Sequence, residues 1–368
     1  MKKKLLYVHN ADFSKPCANR VQVLNMCKAF NKIGEDVALL SFNCSKEIIK
    51  NKYGETANFN TISLKPSGNY LLRSLVLFLK FLKVKDNFDR IFSRDLIFSF
   101  LVSFFFKNKR LIYELHDASK GKLWFFLFRK TFKRLLSCVV ISEGLKEELV
   151  KRKFDENKIV VLHDGVDIEK FDIKISKREA RKKLGLPERK KIVTYSGTLK
   201  NWKGYETFLN SYNYLKIKDA VLYLAVGCSE KQIAELKKIY KKGILFLPFI
   251  ENSKIPLFLK ASDILVIPNS SKFEISVKYT SPLKLFEYMA SKRPIIASDL
   301  PSIRKIVDET EVLFFKADDE KDLALKIERL IFNRSFGKKL VYNTFQKVKK
   351  FSWTNRAKEI VNQFKLPK

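Results

Sequence analysis

The chain has 368 residues, with 73 lysines and arginines against 39 aspartates and glutamates, so its formal net charge is +34. This length predicts two domains of about 100–200 residues each, and the 46% hydrophobic content excludes a disordered or collagen-like chain. The five cysteines are odd in number and form no Cys-x-x-Cys pair, which argues against a disulfide framework or a zinc site.

The apolar runs and the amino terminus predict a cytoplasmic protein. The longest apolar run, Leu96–Phe106, falls short of the roughly 20 residues that a membrane-spanning helix needs. The Met-Lys-Lys-Lys start resembles a signal peptide, but the apolar run behind it extends only from Leu5 to Val8. The positive charge leaves two explanations open, an anionic partner such as nucleic acid or a membrane surface, or a compositional bias toward lysine.

The first half of the chain predicts alternating strands and helices. The predicted strands are Lys4–His9, Val37–Phe42, Arg90–Ser93, Leu111–Leu115, Cys138–Ile141 and Ile159–Leu162. The predicted helices are Arg20–Ile33, Tyr70–Val84, Leu96–Phe106, Lys122–Leu136 and Glu143–Lys151. Because the strands are almost continuously apolar, we expect a parallel sheet covered on both faces.

The alternation restarts after a charged helical connector at Ser176–Leu184. The predicted strands are Ile192–Ser196, Val221–Val226, Ile244–Leu247, Ile264–Ile267 and Pro294–Ala297. The predicted helices are Tyr205–Tyr214, Lys231–Tyr240, Ile255–Ala261 and Pro282–Ser291. This pattern predicts two doubly wound α/β domains in tandem, whose ligand sites lie at the carboxyl ends of strands and face a cleft between the domains.

The most informative motif begins at Ser281, which is suited to cap a helix that starts at Pro282. The free amides of Leu283 and Lys284 would then form an anion site suited to a diphosphate. Glu287, further along the same helix, could accept two hydrogen bonds from a ribose diol. The alternative is a surface glutamate paired with Lys284 three residues earlier.

Two further segments follow predicted strands. The loop Gly197–Gly204 lies between the first strand and helix of the second domain, where Lys203 could neutralise phosphate charge, although it could also be a solvated surface lysine. His116 follows a strand of the first domain, as the other two histidines, His9 and His163, also follow strands. A functional and a purely structural histidine both remain open there.

Several motifs together carry a resemblance to a known family. They are Val21–Met26, Arg94–Asp95, Glu114–Asp117, Leu162–Asp167, Gly197–Gly204, Ala261–Asp263, Ser281–Ala290, Arg293–Asp299 and Phe351–Trp353. The chain resembles the GT-B glycosyltransferases, and specifically the retaining enzymes of glycosyltransferase family 4. The resemblance implies two Rossmann-like domains facing a central cleft: an acceptor-binding domain at 1–172, a nucleotide-sugar-binding domain at 173–345, and a terminal helix at 346–368 that crosses back to the first domain.

The resemblance also implies roles for individual residues. Glu287 would bind the ribose hydroxyls and Lys203 the diphosphate, while the amides around Ser281 would bind the distal phosphate and His116 would lie near the reactive end of the sugar. The implied donor-binding residues are Gly197, Lys203, Phe249, Ile250, Thr280, Ser281, Pro282, Leu283 and Glu287, with Phe249 and Ile250 near the nucleobase. The implied acceptor or cleft residues are Arg94, Asp117 and Tyr279.

The implied reaction moves a sugar from a UDP- or GDP-sugar to a glycan or lipid-linked saccharide, in the synthesis of a cell-surface polysaccharide. Attack from the front face would retain the anomeric configuration, with an oxygen of the departing phosphate helping to accept the proton. No Asp-x-Asp motif occurs in the sequence, so we expect no metal and no other cofactor; positive side chains and a helix dipole would stabilise the leaving diphosphate.

The sequence departs from the family pattern at three places. Tyr279 replaces the first of two glutamates that the family often has eight positions apart, and Thr198 replaces the usual arginine of the donor loop. This second change leaves Lys203 and Lys200 to supply the positive charge. The Gly-Gly loop of the first domain is replaced by Pro16–Arg20.

A basic and aromatic segment between Lys120 and Arg134 predicts contact with an anionic membrane surface. Six apolar residues follow one another there, from Leu123 to Phe128, which is more than one stripe of a helix. The predicted membrane contacts are Lys122, Trp124, Phe125, Phe126, Arg129, Lys130, Lys133 and Arg134. The alternative is a core-facing helix whose basic side chains extend to solvent. We expect a peripheral location on the inner face of the cell membrane.

Three other functions compete with a transferase. A nucleic-acid-binding protein is suggested by charge alone, without a recognised binding motif, so we expect no nucleic-acid partner. An oxidoreductase would need a Gly-x-Gly-x-x-Gly motif after a strand, and none occurs. A sugar-nucleotide epimerase with the same architecture stays open, because it would use the same donor site without an acceptor.

Overall fold

A computed structural model describes residues 4–118, 121–240 and 242–365, so the start of the chain and Lys120 lie outside the described residues. Contacts within the chain group its residues into two units. The first unit consists of the residues up to Asp164 and those from Trp353 onward, and the second is Gly165–Ser352.

The described part of the first unit is built on a parallel sheet of seven strands, in the order β3-β2-β1-β4-β5-β6-β7. The strands are β1 Lys4–Asp12, β2 Asp36–Phe42, β3 Asn60–Leu64, β4 Arg90–Ser93, β5 Arg110–Leu115, β6 Ser137–Val140 and β7 Ile159–Val161. The helices before the chain leaves this unit are α1 Ala18–Lys32, α2 Lys46–Tyr53, α3 Tyr70–Val84, α4 Leu96–Phe105, α5 Lys122–Phe132 and α6 Glu143–Lys151.

The second unit repeats this plan with a parallel sheet of six strands among its described residues, in the order β10-β9-β8-β11-β12-β13. The strands are β8 Lys191–Ser196, β9 Val221–Cys228, β10 Ile244–Pro248, β11 Ile264–Ile267, β12 Ile295–Ser298 and β13 Leu313–Phe315. The helices are α7 Ile168–Phe171, α8 Lys177–Leu184, α9 Tyr205–Ser211, α10 Glu230–Ile239, α11 Ile255–Ala261, α12 Leu283–Ala290, α13 Pro301–Arg304, α14 Glu320–Phe332 and α15 Arg334–Val348. The last helix, α16 Trp353–Gln363, returns to the first unit and packs on α1.

Local sequence explains where many of these helices begin. The carboxylate of Asp95 accepts a hydrogen bond from the amide of Phe98 at the start of α4, and the hydroxyl of Ser142 does the same for Leu145 in α6. Each cap satisfies an amide that the first helical turn leaves without a partner. Because both helices follow a strand directly, these caps fix the turns at the carboxyl ends of β4 and β6.

Both sheets confirm the expected parallel α/β architecture, and the differences are local. The strands β3 and β13 were not predicted, because β3 is mostly half-buried and β13 has only three residues. The helix α5 ends at Phe132, four residues before its predicted end, where Arg134 and Leu135 form a turn. None of the described helices is both long and apolar enough to cross a bilayer.

Candidate functional site

The glycine at the end of β8 lies against the start of α12. The amide of Gly197 donates to the carbonyl of Val226 over 2.7 Å, and the amide of Ser196 donates to the hydroxyl of Tyr288 over 2.9 Å. Gly197 has a φ of +147°, a conformation that glycine adopts readily, and a Cβ here would lie 1.4 Å from Nζ of Lys284. The absence of a side chain at this position therefore gives the lysine its space.

Lys203 ends a short 3₁₀ turn in the loop that follows β8. Its ammonium donates a hydrogen bond of 2.7 Å to the hydroxyl of Thr198. Burial and the positive charge of Lys200 lower the pKa of Lys203 to about 8. The next residue, Gly204, has a φ of +62°, and a Cβ there would lie 1.8 Å from the carbonyl oxygen of Pro268. Close backbone packing thus holds the loop that carries Lys203.

Lys284 and Glu287 lie on neighbouring turns of α12. Both residues are half-buried, and protein surrounds the ammonium of Lys284 and the carboxylate of Glu287. Burial lowers the pKa of Lys284 well below its usual range, and the charge of Lys203 acts in the same direction, against Glu287. Burial raises the pKa of Glu287 to about 7, although the charges of Lys284 and Lys170 oppose this shift. The two groups are not within ion-pair distance of each other, although each charge shifts the pKa of the other.

The start of α12 differs by one residue from the prediction. Pro282, not Ser281, is the cap residue, and the first helical residue is Leu283. The reason is that Pro282 has an extended ψ of 112°, while its carbonyl accepts the first hydrogen bond of the turn from the amide of Leu285. The amides of Leu283 and Lys284 precede Leu285, so no carbonyl of the helix accepts a hydrogen bond from them. Both amides are therefore left to bind a ligand or solvent.

Other predicted site residues of the second unit lie on segments around these elements. Phe249 follows β10 and is exposed, while Ile250 packs against the core of the second unit. Tyr279 is buried at the end of a π-helical turn, Ile275–Tyr279, and its hydroxyl donates to a carboxylate oxygen of Glu274 over 3.3 Å. Thr280 connects that turn to Ser281, which is buried.

In the first unit, the predicted residue His116 follows β5 and lies beside Glu114. Its Nε2 is 3.0 Å from Oε1 of Glu114, but the pair is not aligned as a hydrogen bond. Burial and the positive charge of Arg94 lower the pKa of His116 to about 4, against the effect of the carboxylate. His116 is therefore a neutral imidazole near pH 7. The predicted residue Asp117 comes next and is half-buried.

Glu114 is fully buried and is held by partners from distant parts of the chain. Its Oε1 lies 2.7 Å from Nη2 of Arg356 in α16, and its Oε2 accepts a 3.2 Å hydrogen bond from the hydroxyl of Tyr7. Burial alone would raise its pKa, but Arg356 and His116 hold the pKa of this carboxyl well below its usual range. Arg356 also donates to the carbonyl of His163 over 2.9 Å.

A second polar network joins the predicted residue Arg94 to Gln22 and Asp164. Arg94 donates to Oε1 of Gln22 over 2.9 Å, and the amide nitrogen of Gln22 in turn donates to Asp164. Burial raises the pKa of Asp164 to about 7, although Arg356 opposes this shift. Gln22 and Asp164 lie in motifs that the sequence analysis noted without giving them a role, and no spacing rule links residues 142 positions apart.

The segment predicted to contact a membrane divides between two environments. Leu123 and Phe126 are exposed, at 74% and 57% of the residue surface, whereas Phe128 and Phe132 are buried. Trp124 is half-buried and stacks on Phe128, with ring centroids 4.9 Å apart. The basic members of the segment are exposed: Lys122, Arg129, Lys130, Lys133 and Arg134. Phe125 is half-buried below the guanidinium of Arg152, 3.9 Å from its ring centroid.

Two family models match this chain, one for each part of it. The model "Glyco_transf_4: Glycosyltransferase Family 4" matches residues 20–170, and "Glycos_transf_1: Glycosyl transferases group 1" matches residues 176–347.

Within the residues that the structure describes, no group of three or more histidine, cysteine or acidic side chains could hold a metal ion.

Similar proteins agree with these matches. The uncharacterized glycosyltransferase MJ1607 of Methanocaldococcus jannaschii is 27% identical over 62% of this chain and 60% of its own length. An Escherichia coli UDP-Gal:alpha-D-GlcNAc-diphosphoundecaprenol alpha-1,3-galactosyltransferase is 30% identical over 53% of this chain and 48% of its own length. Anabaena Alr3699/HepE, solved in complex with UDP and glucose, has 16% identity and a TM-score of 0.80 over 99% of this chain and 100% of its own. The matches to the two relatives thus leave more than a third of each relative's length uncovered.

The two parallel α/β units define a protein of the GT-B fold class, as the similarity to HepE also indicates. With matches that together run from residue 20 to residue 347, the chain belongs to glycosyltransferase family 4, the glycosyl transferases group 1.

Proposed function

We propose that this protein is a retaining glycosyltransferase that uses a nucleotide-sugar donor and needs no metal ion. The observation that carries the proposal is that Lys284 lies against Gly197 and interacts electrostatically with both Lys203 and Glu287 in the second unit. Two cations and the free amides of a helix start suit a diphosphate, and a carboxylate on the same helix suits a ribose diol. A UDP- or GDP-sugar combines these features.

Each proposed donor contact follows from the chemistry of its side chain. Lys203 neutralises the diphosphate, and the amides at the start of α12 bind the distal phosphate. Glu287 accepts hydrogen bonds from the ribose hydroxyls. Phe249 offers an exposed ring to the nucleobase.

The proposed transfer proceeds at the front face of the sugar. The bond between the anomeric carbon and the phosphate oxygen breaks, the acceptor oxygen bonds to the same face, and the departing phosphate oxygen accepts its proton. Lysine side chains and the helix dipole stabilise the charge that develops on the diphosphate, as a metal ion does in other enzymes. His116, neutral near pH 7, can donate or accept a hydrogen bond at the reacting sugar without placing a second positive charge there.

For the acceptor we propose a glycan or lipid-linked saccharide in the synthesis of a cell-surface polysaccharide. The name of the E. coli relative describes transfer of galactose from UDP-galactose to a sugar on diphosphoundecaprenol. Such an acceptor would bring the protein to the inner face of the membrane. Arg94, Asp117 and Tyr279 are the residues that we propose for the acceptor or the sugar.

The reaction is tested by incubating the protein with UDP- and GDP-hexoses in the presence of EDTA and following the products by proton NMR. We expect slow transfer to water, with release of the nucleoside diphosphate and a free sugar that first has the donor's anomeric configuration. His116→Ala is expected to lower this rate by about a hundredfold, a loss typical for a hydrogen bond at the reacting centre, with little change in the KM for donor.

Two products would contradict the proposal. Interconversion of two sugar nucleotides without release of a nucleoside diphosphate would identify an epimerase. A sugar released with inverted configuration would exclude front-face transfer.

A further inference from the structure

The first unit has a cavity at the amino-terminal edge of its sheet, at the opposite end of β5 from His116. Its volume is about 290 Å³. Its walls come from the end of α4, the start of β5, the turn between α5 and β6, and the residue before β7. A cavity of this size suits a small molecule or one chemical group of a larger one.

The cavity is strongly basic. Of the 11 residues that line it, none is acidic and five are basic, namely Lys107, Lys109, Lys133, Arg134 and Lys158. Within the described part of the chain, no carboxylate lies within 4.0 Å of the charged groups of the last four. The carboxyl ends of α4 and α5 lie nearby, but the partial charges of two helix ends offset only about one unit of positive charge. An excess of positive charge therefore remains.

Backbone carbonyls hold two of these cations in place. The ammonium of Lys109 donates to the carbonyls of Lys85, over 2.6 Å, and Phe88. The ammonium of Lys158 donates to the carbonyls of Lys133 and Leu135, over 3.3 and 3.2 Å. Because an ammonium has three N–H donors, each of these lysines keeps one donor beyond its two carbonyl partners. The fold thus positions two half-buried cations that can each bind an anion.

Apolar residues surround the cations. Val102, Leu111 and Leu135 line the cavity and are buried. Apolar walls reduce the screening by water, so the attraction between an ammonium and an anion is stronger there than on an open surface. The side chains of Phe104 and Phe105, just before the lining residue Phe106, are exposed. The surroundings therefore suit an anion that is attached to an apolar body.

We propose that this cavity is a phosphate-binding site in which Lys109 and Lys158 hold the phosphate group of a ligand. A phosphate monoester carries a charge of about −1.5 to −2 near pH 7 and offers three acceptor oxygens, which match the remaining donors and the excess charge. A phospholipid headgroup and a soluble phosphorylated molecule share this chemistry, and the exposed rings of Phe104 and Phe105 favour the lipid. The inference is independent of the proposed function, because the cavity shares no residue with the proposed donor site.

Isothermal titration calorimetry with two ligands tests the inference. Glycerol 3-phosphate offers the phosphate alone, and monomeric dihexanoyl phosphatidic acid offers the same group with short acyl chains. Lys109→Gln combined with Lys158→Gln removes both charges and keeps donors for the backbone carbonyls. We expect this double variant to bind the phosphatidic acid about tenfold to a hundredfold more weakly than the wild type, the usual effect of losing charged hydrogen bonds. Lys203→Met, which alters the proposed donor site in the second unit, is the control and is expected to bind like the wild type.

The two ligands also identify the source of the phosphate. Tighter binding of the phosphatidic acid would support the site and assign it to a lipid headgroup, and equal binding of both ligands would support the site and assign it to a soluble molecule. The inference is wrong if neither ligand binds, if the double variant keeps its affinity, or if Lys203→Met alone abolishes binding.

A measurement on the wild type replaces the double variant if that variant does not fold. Acetylation of Lys109 and Lys158 is followed by mass spectrometry with and without the phosphatidic acid. We expect the ligand to slow the acetylation of both lysines and to leave that of the exposed Lys231 unchanged. Equal labelling of Lys109 and Lys158 with and without ligand would contradict the inference.

Discussion

At the scale of single residues, the proposed donor site contains side chains whose protonation is shifted by burial. The pKa of Glu287 is raised to about 7 and that of Lys203 is lowered to about 8, because each charged form loses contact with water. Shifts of this kind are typical of functional sites, where a ligand supplies the missing interaction. Here the expected ligand offers hydroxyl groups to the carboxylate and negative charge to the ammonium.

These shifts predict how the binding of a nucleoside diphosphate depends on pH. Below about pH 7 Glu287 takes up a proton, and above about pH 8 Lys203 loses one. Lys284, whose pKa is also lowered, acts in the same direction as Lys203. We therefore expect the association constant, measured by calorimetry from pH 5.5 to 9.5, to be highest between about pH 7 and 8.

Two variants identify the group that causes the fall in affinity at each end of the pH range. Lys203→Arg keeps its charge throughout the range, so the fall in affinity above pH 8 should be smaller. Glu287→Gln cannot ionise, so its lower affinity should vary less below pH 7. A profile that both variants share with the wild type would show that neither group titrates in the binding step.

At the scale of helices and strands, three neighbouring helices of the first unit leave apolar side chains exposed. The helix α4 packs against both α3 and α5. In α3, Leu71, Leu75, Leu79 and Leu82 recur every three or four positions and so lie on one face of the helix, while Tyr70 and Leu72 are also exposed in its first turn. The exposed apolar residues of this surface are Leu71, Leu75, Leu79 and Leu82 of α3, Phe104 and Phe105 of α4, and Leu123 and Phe126 of α5.

Basic residues surround this surface, and they suggest which partner covers it. Lys83, Lys130, Lys133 and Arg134 are exposed, and Arg134 lies 5.4 Å from the ring centroid of Phe104. Apolar side chains among cations suit a bilayer that contains anionic lipids. We propose that this wider surface, and not α5 alone, contacts the membrane.

Flotation with liposomes tests the membrane proposal. We expect the protein to float with vesicles of phosphatidylcholine and phosphatidylglycerol at low salt, and less at high salt, because salt screens the lipid charges. Leu79→Ser combined with Phe126→Ser should reduce flotation, whereas Phe332→Ser, at an exposed position of the second unit, should not. Absence of binding to anionic vesicles at low salt would contradict the proposal.

Packing between helices and strands decides which features could be predicted from the sequence. Periodicity located most strands of both sheets because they are continuously apolar. The motifs also placed Lys203 in the loop after β8 and Glu287 on α12, where the structure has them. They did not give the direction of Lys284, which depends on how α12 packs against Gly197. Nor could they join Glu114 to Arg356, since those residues are 242 positions apart and meet only when α16 returns to the first unit.

At the scale of the whole molecule, the positive charge matches the proposed partners. A nucleotide sugar, a lipid-linked diphosphate and an anionic bilayer are all negatively charged, and a net charge of +34 would favour encounter with each. In the proposed donor site, however, the specific contacts come from a few of the 73 basic residues, which the fold places there.

The return of α16 to the first unit is needed for the surroundings of His116. The first unit is completed only by residues after Trp353, because Arg356 of α16 balances the buried carboxylate of Glu114. A buried carboxylate without this partner would be strongly unfavourable. The environment of His116 therefore depends on residues from both ends of the chain.

The central claim is that the second unit binds a nucleotide sugar through Glu287. The most direct measurement is a thermal-shift screen against UDP-, GDP-, ADP- and dTDP-sugars with EDTA present, on the wild type, Glu287→Ala and the exposed control Glu235→Ala. A ligand at about 100 times its dissociation constant adds about 2.7 kcal/mol, so we expect one class to raise the Tm of the wild type and control by several degrees. The shift should be lost in Glu287→Ala. No shift with any nucleotide sugar, or an equal shift in Glu287→Ala, would contradict the account.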